Sequence, residues 1–514
     1  MQPPDKLAAR PMAGSSGGSA TMVFPAPYRR QEPLIDFRPV LLVVGLLLLT
    51  VGVAMLLPSL VGLLQGSPTG GAFFASASFT VAVAGLMVTS NRVPVLTFTR
   101  RQTFVLVALA WTALPAFAAL PFVFSELDLS FTDAYFEAMS GLTTTGSTVL
   151  VGLDQMAPSL LLWRALLQWL GGIGIIVMAM AILPLLRTGG MQLFHAESSD
   201  RYEKPFPRAT QFVSALILAY VLLSIACGVA YRLAGMSRFD ATIHAMTTLS
   251  TGGYSSHDAS FGHFKSPLIE WLGVLFMLAG ALPFVLYVRA ARGDLKILRD
   301  RQVQVFLVVV LISALALAAW LTIHKDLLLT DAVRLTAFNV TSVVTTTGYA
   351  SADYNLWGGL AVGLMFYLTF VGGCTGSTAG AIKIFRFRVM AIVLGDHLLQ
   401  RFYPHGVSNR SYDGKPLDED VVEGVLAFAV VYATSVGAIA LGLSALDLDW
   451  ITSLSGAATA VGNVGPGLGE IIGPAGNFAS LPDGAKWLLA FGMLLGRLEL
   501  FTVIVLLAPR FWRG

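Results

Sequence analysis

Charge is what this 514-residue sequence has least of: Asp, Glu, Lys and Arg make up 12% of it, against 55% apolar residues. Water-soluble domains carry about 25% charged residues, so an ordinary soluble globule is excluded. Cysteine is nearly absent. Cys227 and Cys374 both stand in apolar surroundings and can build neither a disulfide framework nor a CxxC metal site. The 7 histidines are scattered without metal-ligand spacing and read as packed or solvated side chains. A formal net charge of +3 is too small to imply a nucleic-acid partner. No Gly-x-Gly-x-x-Gly opens a strand–helix unit, so this chain is expected to hold no nucleotide or other cofactor. Ser377 has no histidine in the neighbouring apolar segments to serve as its base, and no DxxD-type metal cluster occurs, which argues against an intramembrane enzyme. Residues 1–33 lack the apolar core of a signal peptide; their Gly, Ser, Pro and Arg content predicts a disordered cytoplasmic tail.

What is present is apolar sequence in long runs. Ten are long enough to span a bilayer, at about 39–65, 71–98, 103–124, 157–187, 209–234, 267–290, 303–323, 357–394, 421–446 and 484–510. Pro184 is placed to kink the end of the fourth run. Basic residues fix the orientation. With the N-terminus inside, Arg29, Arg30, Arg38, Arg100, Arg101, Arg187, Arg201, Lys204, Arg208, Arg289, Arg292, Lys296, Arg299 and Arg301 all face the cytoplasm. So do Arg386, Arg388, Arg401, Arg510 and Arg513, whereas acids such as Glu126, Asp154, Asp258, Asp353 and Glu470 fall outside. The chain is therefore read as a multi-pass protein of the cell (inner) membrane, in contact with lipid.

Four outer segments resemble one another. They read DAYFEAMSGLTTTGST from Asp133, DATIHAMTTLSTGGYS from Asp240, FNVTSVVTTTGYAS from Phe338 and DWITSLSGAATAVGNVGPG from Asp449. Each lies between two apolar runs and ends in a Gly turn, at Gly146, Gly252, Gly348 and Gly462. An Asp precedes that Gly by 12 or 13 residues in three repeats and, as Asp331, by 17 in the third. Asp suits an N-cap or a first helical turn. The residues between are too few to span a membrane but suit a re-entrant helix of about three turns.

Such a repeat fits a cation pore. A dehydrated ion needs oxygen ligands in place of its water, and rings of backbone carbonyls supply them without a full charge. Aiming carbonyls at an axis takes backbone angles that glycine adopts freely. A short helix ending at the turn adds the partial negative charge of its C-terminus. Non-helical backbone at membrane depth is tolerated only where protein or a water-filled cavity surrounds it, and four turns around one axis meet that condition. One Thr-Thr-Gly turn would be an ordinary loop; four in the same topological slot point to a selectivity filter.

On these motifs the chain resembles the Trk/Ktr/HKT superfamily of potassium transporters, most closely its TrkH branch, over about residues 39–514. The stretches that carry the resemblance are 143–148, 250–255, 345–350, Asn463-Val-Gly-Pro-Gly-Leu-Gly469, Gly372-Gly-Cys-Thr-Gly-Ser-Thr-Ala-Gly-Ala-Ile-Lys383 and Gly496-Arg-Leu-Glu499. The resemblance implies an all-α membrane fold of ten spans. Four span–pore helix–filter loop–span repeats would be pseudo-fourfold around one pore, after two N-terminal spans. The units would be the tail at 1–33, a two-helix unit at 34–101, and pore repeats at 102–208, 209–301, 302–420 (with an intramembrane gating loop) and 421–514. Potassium would bind at Thr145, Gly146, Ser147, Thr251, Gly252, Gly253, Thr347, Gly348, Tyr349, Val461, Gly462 and Asn463. In some plant relatives the first filter glycine is a serine, which goes with sodium preference; Gly146 therefore favours potassium. A homodimer and a separate cytosolic TrkA-like ring that binds nucleotides are further implications. The ring would dock on basic inner loops including 289–301 and 397–415.

Two internal features suit a gate. Gly372, Gly373, Gly376 and Gly380 interrupt the eighth run, with Cys374, Thr375, Ser377 and Thr378 among them. Glycine is costly inside a helix, so a loop obstructing the pore is expected there, with Lys383 adding positive charge behind it. Close helix packing through small residues is the other reading. Arg497 falls in the middle of the last run, where an arginine costs about 2.5–3.5 kcal/mol to insert and so should face a cavity or a partner. Glu499 is two residues away and does not share its helix face. A barrier role for Arg497 follows, and family members have an arginine at this motif. No acidic or histidine relay runs through the apolar segments, which favours a gated pore over the alternative, a proton- or sodium-coupled symporter.

Overall fold

The computed structural model of the chain describes residues 35–178, 209–294, 299–404 and 410–513. The predicted tail, Pro184, Arg187, Arg201, Lys204 and Arg208, and parts of both basic docking loops lie outside them.

The described residues are helical apart from turns and one two-residue hairpin, Ser411–Tyr412 (β1) with Lys415–Pro416 (β2). In chain order the helices are α1 Arg38–Ala54, α2 Leu56–Leu64, α3 Thr69–Ser90, α4 Arg100–Ala118, α5 Leu120–Val123, α6 Phe131–Leu142 and α7 Pro158–Val177. They continue as α8 Ala209–Leu233, α9 Arg238–Leu249, α10 Pro267–Ala281, α11 Phe284–Ala290, α12 Arg301–His324, α13 Leu329–Val344 and α14 Gly359–Leu368. The remainder are α15 Ile384–Phe402, α16 Glu419–Ser444, α17 Trp450–Gly462, α18 Gly469–Ile472, α19 Asp483–Arg497, α20 Phe501–Leu507 and α21 Pro509–Arg513.

Among the described residues, seven stretches are helical, long and apolar enough to cross a membrane: Arg38–Leu64, Thr69–Ser90, Arg100–Val123, Pro158–Val177, Gln211–Leu233, Arg301–His324 and Glu419–Ser444. This is an all-helical, multi-pass membrane protein. Among the described residues, three of the apolar runs are sharply bent or split. The sixth bends by 95° between α10 and α11, where Pro283 has no N–H to continue the ladder. The last bends by 115° between α19 and α20, where Glu499 and Leu500 both take positive φ. The eighth splits into α14 and α15 around residues 369–383, in line with its glycines. Arg497, expected mid-span, is thus the last residue of α19, beside a break.

Lipid-facing surface explains the sequence pattern. Leu46, Leu57, Phe74 and Leu86 of α1–α3 are exposed, and so are Leu218, Leu222 and Val229 of α8. Within α1 and α3, small residues bring the backbones together. A Cβ added at Gly45 would lie 3.0 Å from Met87 Cβ, and one at Gly52 2.9 Å from Val81 Cγ2. The four short helices α6, α9, α13 and α17 are, by contrast, buried around most of their circumference. Side chains cap the N-termini of three of them, α6, α9 and α17. Ser130 and Ser237 accept from the N–H of Asp133 and Asp240 at 3.1 and 3.0 Å and donate back to the same carboxylates, and Asp449 accepts from Thr452 N–H at 3.0 Å. Asp331 lies in the first turn of α13.

Candidate functional site

Each short helix ends in the same way. After α6, Thr144 N–H donates to Gly141 O at 3.0 Å and Thr145 N–H to Ser140 O at 2.9 Å. After α9 the pair is Thr251 to Thr248 and Gly252 to Thr247; after α13, Thr346 to Val343 and Thr347 to Ser342; after α17, Asn463 to Ala460 and Val464 to Thr459. These are Schellman ends with one residue in the left-handed region. That residue is Thr144 (φ 52°), Thr251 (φ 50°), Thr346 (φ 56°) or Asn463 (φ 53°). A β-branched residue there is strained by about 1–3 kcal/mol, and such strain gathers at functional sites. Two residues later each loop has a positive-φ glycine: Gly146, Gly253, Gly348 and Gly465.

This geometry sets the register of the repeats. Thr145, Gly252, Thr347 and Val464 are equivalent, and each is followed by one of those glycines. A Cβ on Gly146 would stand 2.2 Å from Gly252 O; on Gly253, 1.9 Å from Thr347 O; on Gly348, 2.1 Å from Val464 O; on Gly465, 2.7 Å from Thr145 O. Loop 1 thus abuts loop 2, loop 2 abuts loop 3, loop 3 abuts loop 4, and loop 4 abuts loop 1, through the same pair of positions each time. Four equivalent carbonyls form a closed ring in which only glycine fits between neighbours, by φ and by space.

Side chains tie the ring from behind. Tyr254 donates its hydroxyl to Glu137 O at 2.8 Å, reaching back to α6, and the Tyr349 hydroxyl lies 2.5 Å from Thr247 Oγ1, reaching back to α9. Ser147 donates to Gly465 O at 2.8 Å, and Asn463 Nδ2 donates to Thr145 Oγ1 at 3.0 Å. Fully buried Glu137 and Arg164 pair at 2.7 Å; Arg164 also donates to Ser255 O at 3.0 Å, and Glu137 accepts from Val149 N–H at 3.0 Å. Gln168 of α7 donates to Gly252 O at 2.6 Å and accepts from Tyr254 N–H at 3.0 Å. It occupies the room that a side chain at residue 252 would fill, since a Cβ there would lie 2.4 Å from Gln168 Cδ.

Residues 369–383 lie against the ends of three of the four short helices. Val371 and Ile382 form a parallel bridge that closes this segment on itself. Thr378 donates to Leu249 O at 3.1 Å and Gly280 O at 3.0 Å and lies 3.1 Å from Thr251 Oγ1. Gly380 N–H donates to Thr346 Oγ1 at 2.7 Å, and Ala381 N–H to Gly462 O at 2.8 Å. Gly376 O accepts from Phe284 N–H at 3.0 Å, and Thr375 N–H donates to Gln302 Oε1 at 2.5 Å. Gly372 and Gly373 each approach backbone too closely for a Cβ, at 2.1 Å from Gly380 O and 2.9 Å from Ala281 O. Ser377 donates to Cys374 O at 2.6 Å, and Cys374 is fully buried. Arg497, 3% exposed, donates to Thr378 O at 3.0 Å, while its Nε and Nη2 meet no hydrogen-bond partner among the described residues. Beside it is a cavity that Lys383, Arg386, Asn463 and Glu499 also line. Lys383 donates to Ala379 O, and Glu499 pairs with Arg386 rather than with Arg497.

The family model described as TrkH, cation transport protein, matches residues 69–513. The chain belongs to the TrkH family. It is 50% identical to the Trk system potassium uptake protein TrkI of Halomonas elongata, covering 94% of this chain and 99% of that one. It is 37% identical to the Trk system potassium uptake protein TrkH of Escherichia coli K12, over 93% of this chain and 100% of that one. The crystal structure of the potassium transporter TrkH from Vibrio parahaemolyticus superposes with a TM-score of 0.86 at 35% identity, covering 93% of this chain and all of that one. Family and fold point to a transporter rather than an enzyme.

Within this TrkH-family chain, the residues expected at the filter come together, but in a shifted register. Thr145, Gly146, Thr347, Gly348 and Gly253 lie at the ring. Gly252 contributes the carbonyl position, not the positive-φ glycine. Gly462 closes α17 as a helical residue, and its carbonyl is taken by Ala381. Val461 lies one residue further inside, its carbonyl 1.9 Å from a Cβ built on Gly496. Val464 and Gly465 replace them at the ring. Tyr349, Ser147, Thr251 and Asn463 sit behind or beside it. Glu137, Arg164, Gln168 and Tyr254 were not legible as site residues, because nothing in their spacing ties them to a turn far away in the chain.

Proposed function

We propose that this chain takes up potassium ions across the cytoplasmic membrane through a gated, channel-like pore. The observation that carries the proposal is the closed ring of four equivalent carbonyls at Thr145, Gly252, Thr347 and Val464. Such a ring is suited to replace the water of a dehydrated cation, with the C-terminal ends of α6, α9, α13 and α17 adding partial negative charge. In this reading ten crossings form two N-terminal spans and four repeats around one axis, with the N-terminus inside. Relatives named as potassium uptake proteins support potassium as the ion.

Residues 372–378 with Lys383 and Arg497 form the gate in this reading. Arg497 holds the segment through Thr378 O and adds a positive charge next to the pathway, which raises the barrier to cations. The chain itself carries no cofactor. Regulation comes from a separate cytosolic nucleotide-binding ring on the basic inner loops, and the transporter is a homodimer; the "Trk system" in the relatives' names supports a multi-component assembly.

The test is cation flux from purified protein in liposomes. Potassium flux that exceeds sodium flux and runs down its own gradient alone is expected. Equal potassium and sodium flux would count against the ring as a selective site. A requirement for a proton or sodium gradient would favour a coupled symporter.

A further inference from the structure

Outside the ring, the seam between the first two repeats holds a cluster that ion passage does not use. Asp154 stands in the turn Leu153–Gln155 ahead of α7, while His257 and His263 follow the second loop. His257 Nδ1 lies 2.5 Å from Asp154 Oδ1, and His263 Nδ1 lies 3.7 Å from the same oxygen. The two imidazoles are parallel to within 4°, with centroids 3.5 Å apart. One ligand atom from each of the three residues lies within 4.8 Å of the others.

Two imidazoles and a carboxylate are a donor set for a divalent transition metal of the zinc class. Tetrahedral ligands held at about 2.0–2.1 Å from zinc stand roughly 3.3 Å apart, and the separations of 2.5 and 3.7 Å bracket that value. Asp240 stands next to the cluster: its Oδ1 lies 3.3 Å from His257 Nε2 without hydrogen-bond alignment, and its carboxylate is fixed by Ser237 and Ser256 hydroxyls at 2.6 Å each. Both in-plane lone pairs meet one ion once the stacked rings splay; the His263 side chain, 46% exposed, has the room to turn. Asp154, 45% exposed, leaves the remaining coordination position open to water.

We propose that Asp154, His257 and His263 bind one zinc-class divalent ion. The ion cross-links the segment after loop 1 to the segment after loop 2. Its charge at the outer mouth repels arriving cations, so zinc outside lowers potassium flux. The site stands on its own geometry, and only the effect on flux rests on the proposed pore.

Titration calorimetry of zinc chloride into the purified full-length chain is the first arm. One zinc per chain is expected, with excess magnesium failing to displace it, and with binding lost in His263→Ala and in His257→Ala/His263→Ala. Nitrogen ligands in the zinc X-ray absorption spectrum of the wild type should disappear with them. No zinc uptake, or unchanged stoichiometry in the double variant, would overturn the site. The second arm reads the ratio of potassium flux with and without external zinc. A several-fold drop in wild type and a ratio near one in the double variant are expected. Stoichiometric binding with an unchanged ratio would overturn the clamp. Absence of potassium flux in every zinc-free sample would instead count against the pore, with calorimetry still deciding the site.

Discussion

Gly465 of the fourth loop lies against the Thr145 carbonyl of the first, 318 residues apart where Ser147 meets Gly465, and this contact closes the ring. A methyl group on Gly465 would stand 2.7 Å from that oxygen, on a backbone with φ of 108°. Gly465→Ala should therefore act like Gly146→Ala, Gly253→Ala or Gly348→Ala and abolish selective potassium flux. Gly462→Ala, on a helical residue, should be milder. Bi-ionic potentials of the five variants check this. An unchanged potassium-to-sodium ratio in Gly465→Ala would remove the fourth loop from the selective site.

Gly252 and Gly253 separate in the same experiment. Gly253 has φ of 76° and backbone against it, whereas a Cβ on Gly252 meets the Gln168 side chain. Gly252→Ser should alter the permeability ratio, and Gln168→Ala added to it should restore part of the wild-type ratio by vacating the space. Gly253→Ser should not respond to Gln168→Ala. Equal behaviour of the two pairs would argue against Gln168 as the filler of this position.

The four short buried helices and their turns were legible because they rest on short-range chemistry: apolar runs on either side, an Asp near the helix start and a Gly turn at its end. The interruption of the eighth run was legible for the same reason, since glycine clusters oppose helix. The fourth repeat misled by three residues. Its Val-Gly462-Asn looks like a Thr-Gly turn, but Asn463 takes the left-handed position that threonine fills elsewhere, which moves the ring glycine to Gly465. The bend at Glu499 carries no proline or glycine at the break, and Glu499 pairs with Arg386 from 113 residues away. Such a contact is set by packing, which sequence spacing does not encode.

Glu137 and Arg164 form a buried ion pair directly behind loops 1 and 2. The guanidinium also lies 4.1 Å from the centroid of the Tyr254 ring. Removing one partner of such a pair leaves a buried charge and costs about 3–5 kcal/mol, more than removing both. Glu137→Leu or Arg164→Leu alone should lower thermal stability in detergent more than the double variant. Each single variant should also lower the potassium-to-sodium ratio, because Ser255 O, Val149 N–H and the Tyr254 ring lose their support. Single and double variants of equal stability would show that the pair contributes nothing as a pair.

Asp449 caps α17, and the hydrogen bonds from Thr452 hold its carboxyl below the ordinary value of 3.8. A depressed folded pKa means the cap's contribution is complete above the unfolded value. It is lost as pH falls through the lower, folded value. Asp449→Ala should cost about 1 kcal/mol at neutral pH. The gap between wild type and variant should narrow only on acidification below about pH 4, near the unreacted carboxylate range. A gap that stays constant down through that range would mean the carboxylate is not the cap.

Thr378 and Arg497 meet where the segment at 369–383 passes under the ring. Thr378 makes three hydroxyl contacts and its carbonyl accepts from Arg497. Thr378→Val keeps the volume and removes the hydroxyl, loosening the segment; a hydrogen bond contributes about 0.5–1.5 kcal/mol. Arg497→Ala removes both the tie to Thr378 O and the positive charge. If the segment and the charge obstruct one pathway, Thr378→Val should raise potassium flux modestly and Arg497→Ala should raise it more. Arg497→Lys should fall between, since lysine keeps the charge without the guanidinium geometry. Flux into liposomes without the regulator measures all three. Folded variants with flux at or below wild type would mean that this segment holds the pore together and does not bar it.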